Sequence, residues 1–218
     1  MSDDHEQKKK GSSYDPSRRK FLKGVGVAGA GAALADSLLA HEVIAAKSKL
    51  DAAGEPISGS INIALDVNGQ KRNATVEPRT TLLNTLRNHL EPGITGPKLV
   101  CDVGTCGACT VIMDGKPVYS CLVLGVDAVG KKLTTVEGLG SPENMNEVQK
   151  AFVEQDALMC GFCTPGFVTT VSAYLKKNSN PTLEQVREAC KGNFCRCGTY
   201  PRVFEAALAA AKAGVAAE

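Results

Sequence analysis

Cysteine placement constrains this chain more than any other feature. The 218 residues contain nine cysteines, and none of them falls in the first hundred residues. They then arrive as Cys101, Cys106, Cys109, Cys121, Cys160, Cys163, Cys190, Cys195 and Cys197. Clustering at such short spacings reads as metal ligation before it reads as disulfides. The three histidines, His5, His41 and His89, stand away from every cysteine group. Mixed Cys/His sites are therefore not expected, and the chain has little to offer for acid–base catalysis. Net charge is only +2, so nothing points to nucleic acid.

The first group reads C-x4-C-x2-C, then eleven residues, then Cys121. That is plant-type [2Fe–2S] spacing. Three thiolates must converge on a cluster a few ångströms across, so the chain must wrap it tightly. Gly104 and Gly107 supply the conformations and close approach that a Cβ would obstruct. Asp114-Gly115 predicts a hairpin turn that returns Cys121 to the loop. Four thiolates also suit zinc, but a zinc ribbon uses two C-x2-C knuckles and this group has one.

Upstream, Ile61, Ile63, Leu65 and Val67 alternate with polar or small residues, a half-buried strand. Asn68-Gly69 signals a type I′ turn into a second strand through about Val76. Thr80 or Thr81 caps an expected helix to about Leu90, with Leu82, Leu83, Leu86 and Leu90 on one face and Pro92 beyond it. Two strands packed on a helix before a cysteine loop suggest a β-grasp arrangement. His89 is expected half-exposed on that helix.

After about Gly140 the pattern becomes helical, roughly 143–157, 165–178, 182–191 and 201–213. Pro181-Thr182-Leu183-Glu184-Gln185 is a helix entry, and Pro201 suits a first turn. The spacing here is C-x2-C, thirty-one residues, C-x-C, with both pairs at helix ends. Two such pairs can meet at one end of a small bundle, where helix N-termini help hold a cluster's negative charge. Cys190 belongs to neither pair and reads as a buried free thiol.

The N-terminal residues 1–46 have the layout of a twin-arginine signal peptide. A polar start leads to Ser17-Arg18-Arg19-Lys20-Phe21-Leu22-Lys23, then a Gly/Ala-rich stretch too short and weak for a membrane span. Cleavage could follow Ala35 or fall near Ala45 or Ala46. Gly24, Gly26 and Gly29 match G-x-G-x-x-G, but no strand precedes them, so a dinucleotide site is not expected. Residues 47–57 read as a linker, 58–138 as a ferredoxin-type domain and 139–218 as a helical [2Fe–2S]-binding domain.

The plant-type loop, then Cys160-Gly-Phe-Cys-Thr-Pro-Gly166, then Gly192-Asn-Phe-Cys-Arg-Cys-Gly-Thr-Tyr-Pro-Arg202, closely resembles the small iron–sulfur subunit of the xanthine dehydrogenase and aldehyde oxidase family. The ending and the leader look most like periplasmic aldehyde oxidoreductases and isoquinoline-oxidising enzymes. The resemblance implies an α+β chain: a β-grasp plant-type ferredoxin domain, then an all-α four-helix domain. It implies that Cys101, Cys106, Cys109 and Cys121 hold an outer cluster. Cys160, Cys163, Cys195 and Cys197 would hold an inner one, with Cys197 nearest the molybdopterin of a large partner subunit. Electrons from an aldehyde or N-heterocycle would pass through both clusters to an FAD-binding subunit or cytochrome c. One departure is Met159, where the family often has a Gln that contacts the pterin. Two other classes stay open on the residues: a free-standing two-cluster ferredoxin, and a zinc- or disulfide-stapled binding module.

Overall fold

The computed structural model describes residues 58–214, so the leader and linker lie outside the described residues. Strands β1 (Ile61–Val67) and β2 (Gln70–Val76) pair antiparallel, with Ile61 opposite Val76 and Val67 opposite Gln70. Asn68 and Gly69 turn between them at φ 55° and 76°, the positive pair that a type I′ turn requires. Alternation then does its work: Ile63, Leu65 and Val67 are buried while their neighbours face outward.

Helix α1 (Leu82–Asn88) starts at Thr81, whose hydroxyl accepts from the Asn84 N–H at 3.2 Å. Leu82, Leu83, Leu86 and Leu90 are each no more than 1% exposed. Burial of each contributes roughly 1.5–3 kcal/mol. The helix is shorter than its leucine pattern: His89 is its C-cap, and the chain folds back so that the Ile94 N–H donates to the Leu86 carbonyl at 2.8 Å. His89 is accordingly exposed and outside the helix, not half-exposed on it.

Strands β3 (Thr110–Met113) and β4 (Lys116–Tyr119) form the second hairpin, turned by Asp114-Gly115. The short β5 (Lys132–Thr134) then enters the middle of the sheet, parallel to β1 and antiparallel to β3. The order β2-β1-β5-β3-β4 with α1 packed on one face is a β-grasp.

Four helices follow: α2 (Glu147–Glu154), α3 (Thr164–Leu175), α4 (Leu183–Cys190) and α5 (Tyr200–Ala213). Full capping boxes open α2 (Asn146 with Gln149) and α4 (Thr182 with Gln185). Asn146 delays α2 beyond the expected start near 143; residues 141–144 form a turn closed by Ser141 and Asn144 instead. Helix α3 is almost wholly buried, because it packs on β3 and β4 as well as on the other helices. Its Phe167 meets Tyr200 of α5 edge-on, ring centres 6.0 Å apart. No helix among the described residues is long and apolar enough to cross a membrane.

Candidate metal centres

The loop from Cys101 to Cys109 rests against α1 and the second hairpin. Asp102, Gly104 and Gly107 all take positive φ (56°, 71° and 69°), so the chain coils back on itself and turns N–H groups inward. A Cβ on Gly104 would lie 2.3 Å from the Leu122 side chain, and one on Gly107 would lie 2.4 Å from the Gly192 carbonyl oxygen. Both glycines therefore serve the close approach expected of them. Cys121 sits in a 3₁₀ turn just after β4, and its sulfur is 3.4 Å from that of Cys109. Leu83 of α1 and Tyr119 pack on this pair.

Within the group the sulfurs fall into two contacting pairs, Cys101 with Cys106 and Cys109 with Cys121. Desolvation pushes Cys101 up. The Thr105 hydroxyl, the Val103 and Thr105 backbone and the Cys106 thiol together outweigh it and bring the pKa down to about 6. Cys121 is pushed up to about 12 by desolvation and by sharing with Cys109, against a backbone bond from Gly104. Backbone hydrogen bonds at Val103, Gly104, Thr105 and Ala108 all favour the thiolate, the form that binds metal.

The second group is assembled from two distant stretches. Cys160 and Cys163 precede α3, and Cys163 is its N-cap, so one sulfur lies at the positive end of a buried helix. Cys195 and Cys197 occupy the loop between α4 and α5. Two residues at the start of α5 hold that loop. The Thr199 hydroxyl lies 3.1 Å from the Cys195 sulfur, and the Cys195 N–H donates to the Tyr200 hydroxyl at 2.7 Å. Again the sulfurs pair, Cys163 with Cys195 and Cys160 with Cys197. Desolvation opposes ionisation of Cys195, but its bonds with Thr199, Cys163 and Cys197 bring it down to about 7. Desolvation and the contact with Cys195 push Cys163 up to about 12. Cys160 and Cys197 are exposed, as are the neighbouring Met159 and Phe162.

Two pairs per group is the donor arrangement of a two-iron cluster. A single zinc ion at about 2.3 Å from each sulfur would draw all four thiolates around one point. Cys190, the last residue of α4, is 2% exposed and packs in the helical core; desolvation alone pushes it up to about 12.

Sequence reasoning missed the supports: Thr105, Tyr119, Asn193, Thr199 and Tyr200. Asn193, Thr199 and Tyr200 stood inside the motif around Cys195 and Cys197, but nothing there showed what they hold; Asn193 and Tyr119 act on partners far away in sequence.

Fold and sites together define a two-domain protein built around two [2Fe–2S] centres. A 2Fe–2S iron–sulfur cluster binding domain matches residues 65–133, and a [2Fe–2S] binding domain matches residues 135–208. A twin-arginine translocation signal sequence matches residues 15–35. The chain is 44% identical over 151 residues to the nicotine 6-hydroxylase small subunit of Paenarthrobacter nicotinovorans, covering 69% of this chain and 90% of that one. It is 38% identical over 169 residues to the aldehyde oxidoreductase iron–sulfur-binding subunit PaoA of Escherichia coli K12, covering 71% and 73%. Quinoline 2-oxidoreductase from Pseudomonas putida 86 has a similar structure, with a TM-score of 0.67 at 42% identity, covering 72% of this chain and 96% of that one. The chain belongs to the iron–sulfur small subunits of the molybdenum hydroxylases, the xanthine dehydrogenase and aldehyde oxidase family.

Proposed function

We propose that Cys101, Cys106, Cys109 and Cys121 ligate an outer [2Fe–2S] cluster, and that Cys160, Cys163, Cys195 and Cys197 ligate an inner one nearer the molybdopterin of a large partner subunit. The observation that carries this reading is the convergence of the cysteines in each group, with the Cys109 and Cys121 sulfurs 3.4 Å apart in the first and Cys163, the N-cap of α3, packed on the core that holds Cys195 in the second. A [2Fe–2S] cluster supplies reversible one-electron redox chemistry. The chain's part is to hold the thiolates in place, surround the outer group with N–H donors and keep the two groups at a fixed separation. The exposed Cys160 and Cys197, beside exposed Met159 and Phe162, support a partner contact on the inner side.

On this reading the partner oxidises an aldehyde or an aromatic N-heterocycle. Electrons enter at the inner group and leave at the outer one for an FAD-binding subunit or cytochrome c. The domains run 1–46 signal, 47–57 linker, 58–138 ferredoxin-type and 139–218 helical. The twin-arginine match supports export of the folded chain to the periplasm. The test is purification of the native complex, with iron, labile sulfide and EPR measured on it. Roughly four irons, four sulfides and two distinct reduced signals are expected, together with a co-purifying large subunit. Zinc, or iron with one signal and half the sulfide, would sink the two-cluster reading.

A further inference from the structure

The two cysteine groups are joined by a buried junction centred on Asn193. Its side chain is 6% exposed. Its Nδ2 donates to the Gly107 carbonyl at 3.1 Å, and its Oδ1 accepts from the Thr170 hydroxyl at 2.9 Å. Its backbone N–H donates to the Cys190 carbonyl at 2.9 Å. One residue thus ties together the first cysteine loop, helix α3 and the end of α4. The fit is tight: a Cβ on Gly166 would lie 2.4 Å from the Gly107 oxygen, and the Tyr119 hydroxyl donates to the Gly192 carbonyl at 2.9 Å. Immediately after Asn193, the Phe194 N–H donates to the carbonyl of Cys106 at 2.8 Å. Cys106 belongs to the first group and Cys195 follows Phe194, so one hydrogen bond links the backbone of one group to that of the other.

We propose that Asn193 is the positioning residue for electron passage between the two clusters, acting by holding the Phe194–Cys106 hydrogen bond closed. The inference rests on the two-cluster reading above. Electron tunnelling falls steeply with distance, and a hydrogen-bonded path carries it better than an open gap. An amide offers a donor to one buried carbonyl and an acceptor to one buried hydroxyl through two separate atoms of one short side chain. With alanine here, the Gly107 oxygen keeps its bonds from Thr110, at 3.2 Å from the N–H and 2.6 Å from the hydroxyl, so the first loop stays folded. What is lost is the side-chain tie that braces the Phe194–Cys106 bond.

The test compares the assembled enzyme carrying the native chain, Asn193→Ala, Thr170→Val or Thr170→Ser. Iron content, the separate EPR signal of each cluster, spin–spin broadening between the two reduced clusters, and the rate of electron equilibration after rapid partial reduction are read on each. Asn193→Ala should retain both clusters and their individual signals, while equilibration slows several-fold and the broadening changes. Thr170→Val, which removes one of the two side-chain bonds, should slow it less, and Thr170→Ser should restore the native rate. Asn193→Ala with both clusters and a native rate overturns the proposal. If that variant does not assemble, a native rate in Thr170→Val overturns it instead. A native enzyme lacking two cluster signals would overturn the two-cluster reading, an outcome visible before any variant is compared.

Discussion

The two cysteine groups solve one ligation problem by different means. The first is local: three of its cysteines fall within nine residues, and the loop's own backbone supplies the donors and the left-handed turns. The second is architectural: its pairs stand thirty-one residues apart, and helices α3, α4 and α5 bring them together. Side chains from the start of α5 then add to the backbone bonds there, with Thr199 and Tyr200 at Cys195. The first site should therefore answer to backbone changes, and the second to anything that loosens the bundle.

The largest effects should come from the ligands, and they should separate by group. Cys109→Ser should remove one EPR signal and about half the iron while leaving the other signal intact, and Cys163→Ser should do the reverse. Loss of both signals from either change would mean that the two groups do not form independent sites.

Backbone changes come next. Gly107→Ala forces a side chain into φ 69° and against the Gly192 oxygen, which cannot move aside as a flexible side chain could. A destabilisation of about 2–4 kcal/mol is expected in chemical denaturation. Gly161→Ala in the second group has φ 77° but nothing within 4 Å of the new Cβ, so the cost should be only about 1–2 kcal/mol. Equal costs would erase the distinction between a closed and an open loop.

A smaller effect should follow from the cap of α4. Thr182→Ala removes one bond of the capping box and should cost about 1 kcal/mol. Chelator challenge should then bleach the second cluster sooner than in the native chain, with the first unaffected. A first cluster that bleached equally fast would show that the bundle does not act selectively on the second site.

The contrast also explains what could be read in advance. The β1 alternation, the Asn68-Gly69 and Asp114-Gly115 turns, and the C-x4-C-x2-C loop are local features, and each appears where the pattern put it. Strand β5 was not legible, because three residues are too few to show a period and its pairing with β1 and β3 is non-local. Asn193 was not legible for the same reason: its partner Gly107 is 86 residues away. Helix ends were displaced where caps overruled apolar periodicity, as at Asn146 and His89.

The smallest effect should be at Cys190, which lies at the end of α4, close in sequence to the second site. Its sulfur is buried in the helical core and burial alone shifts its ionisation, which makes it a packing thiol. Full burial means that serine would strand a hydroxyl there, so alanine is the cleaner probe. Cys190→Ala should cost about 1 kcal/mol through the lost sulfur and leave iron content and both signals unchanged. Its pH signature has a definite sign. Burial raises the folded thiol to about 12, while an unfolded cysteine ionises near 8.5. The folded state therefore keeps a proton that the unfolded state gives up between those values. The contribution is fully present below about pH 8.5 and is lost as pH rises toward 12. The difference in stability between native and Cys190→Ala chains should accordingly narrow with pH across that window. A Cys190→Ala chain that lost the second EPR signal would make Cys190 a ligand and break the pairing on which the comparison of the two sites stands.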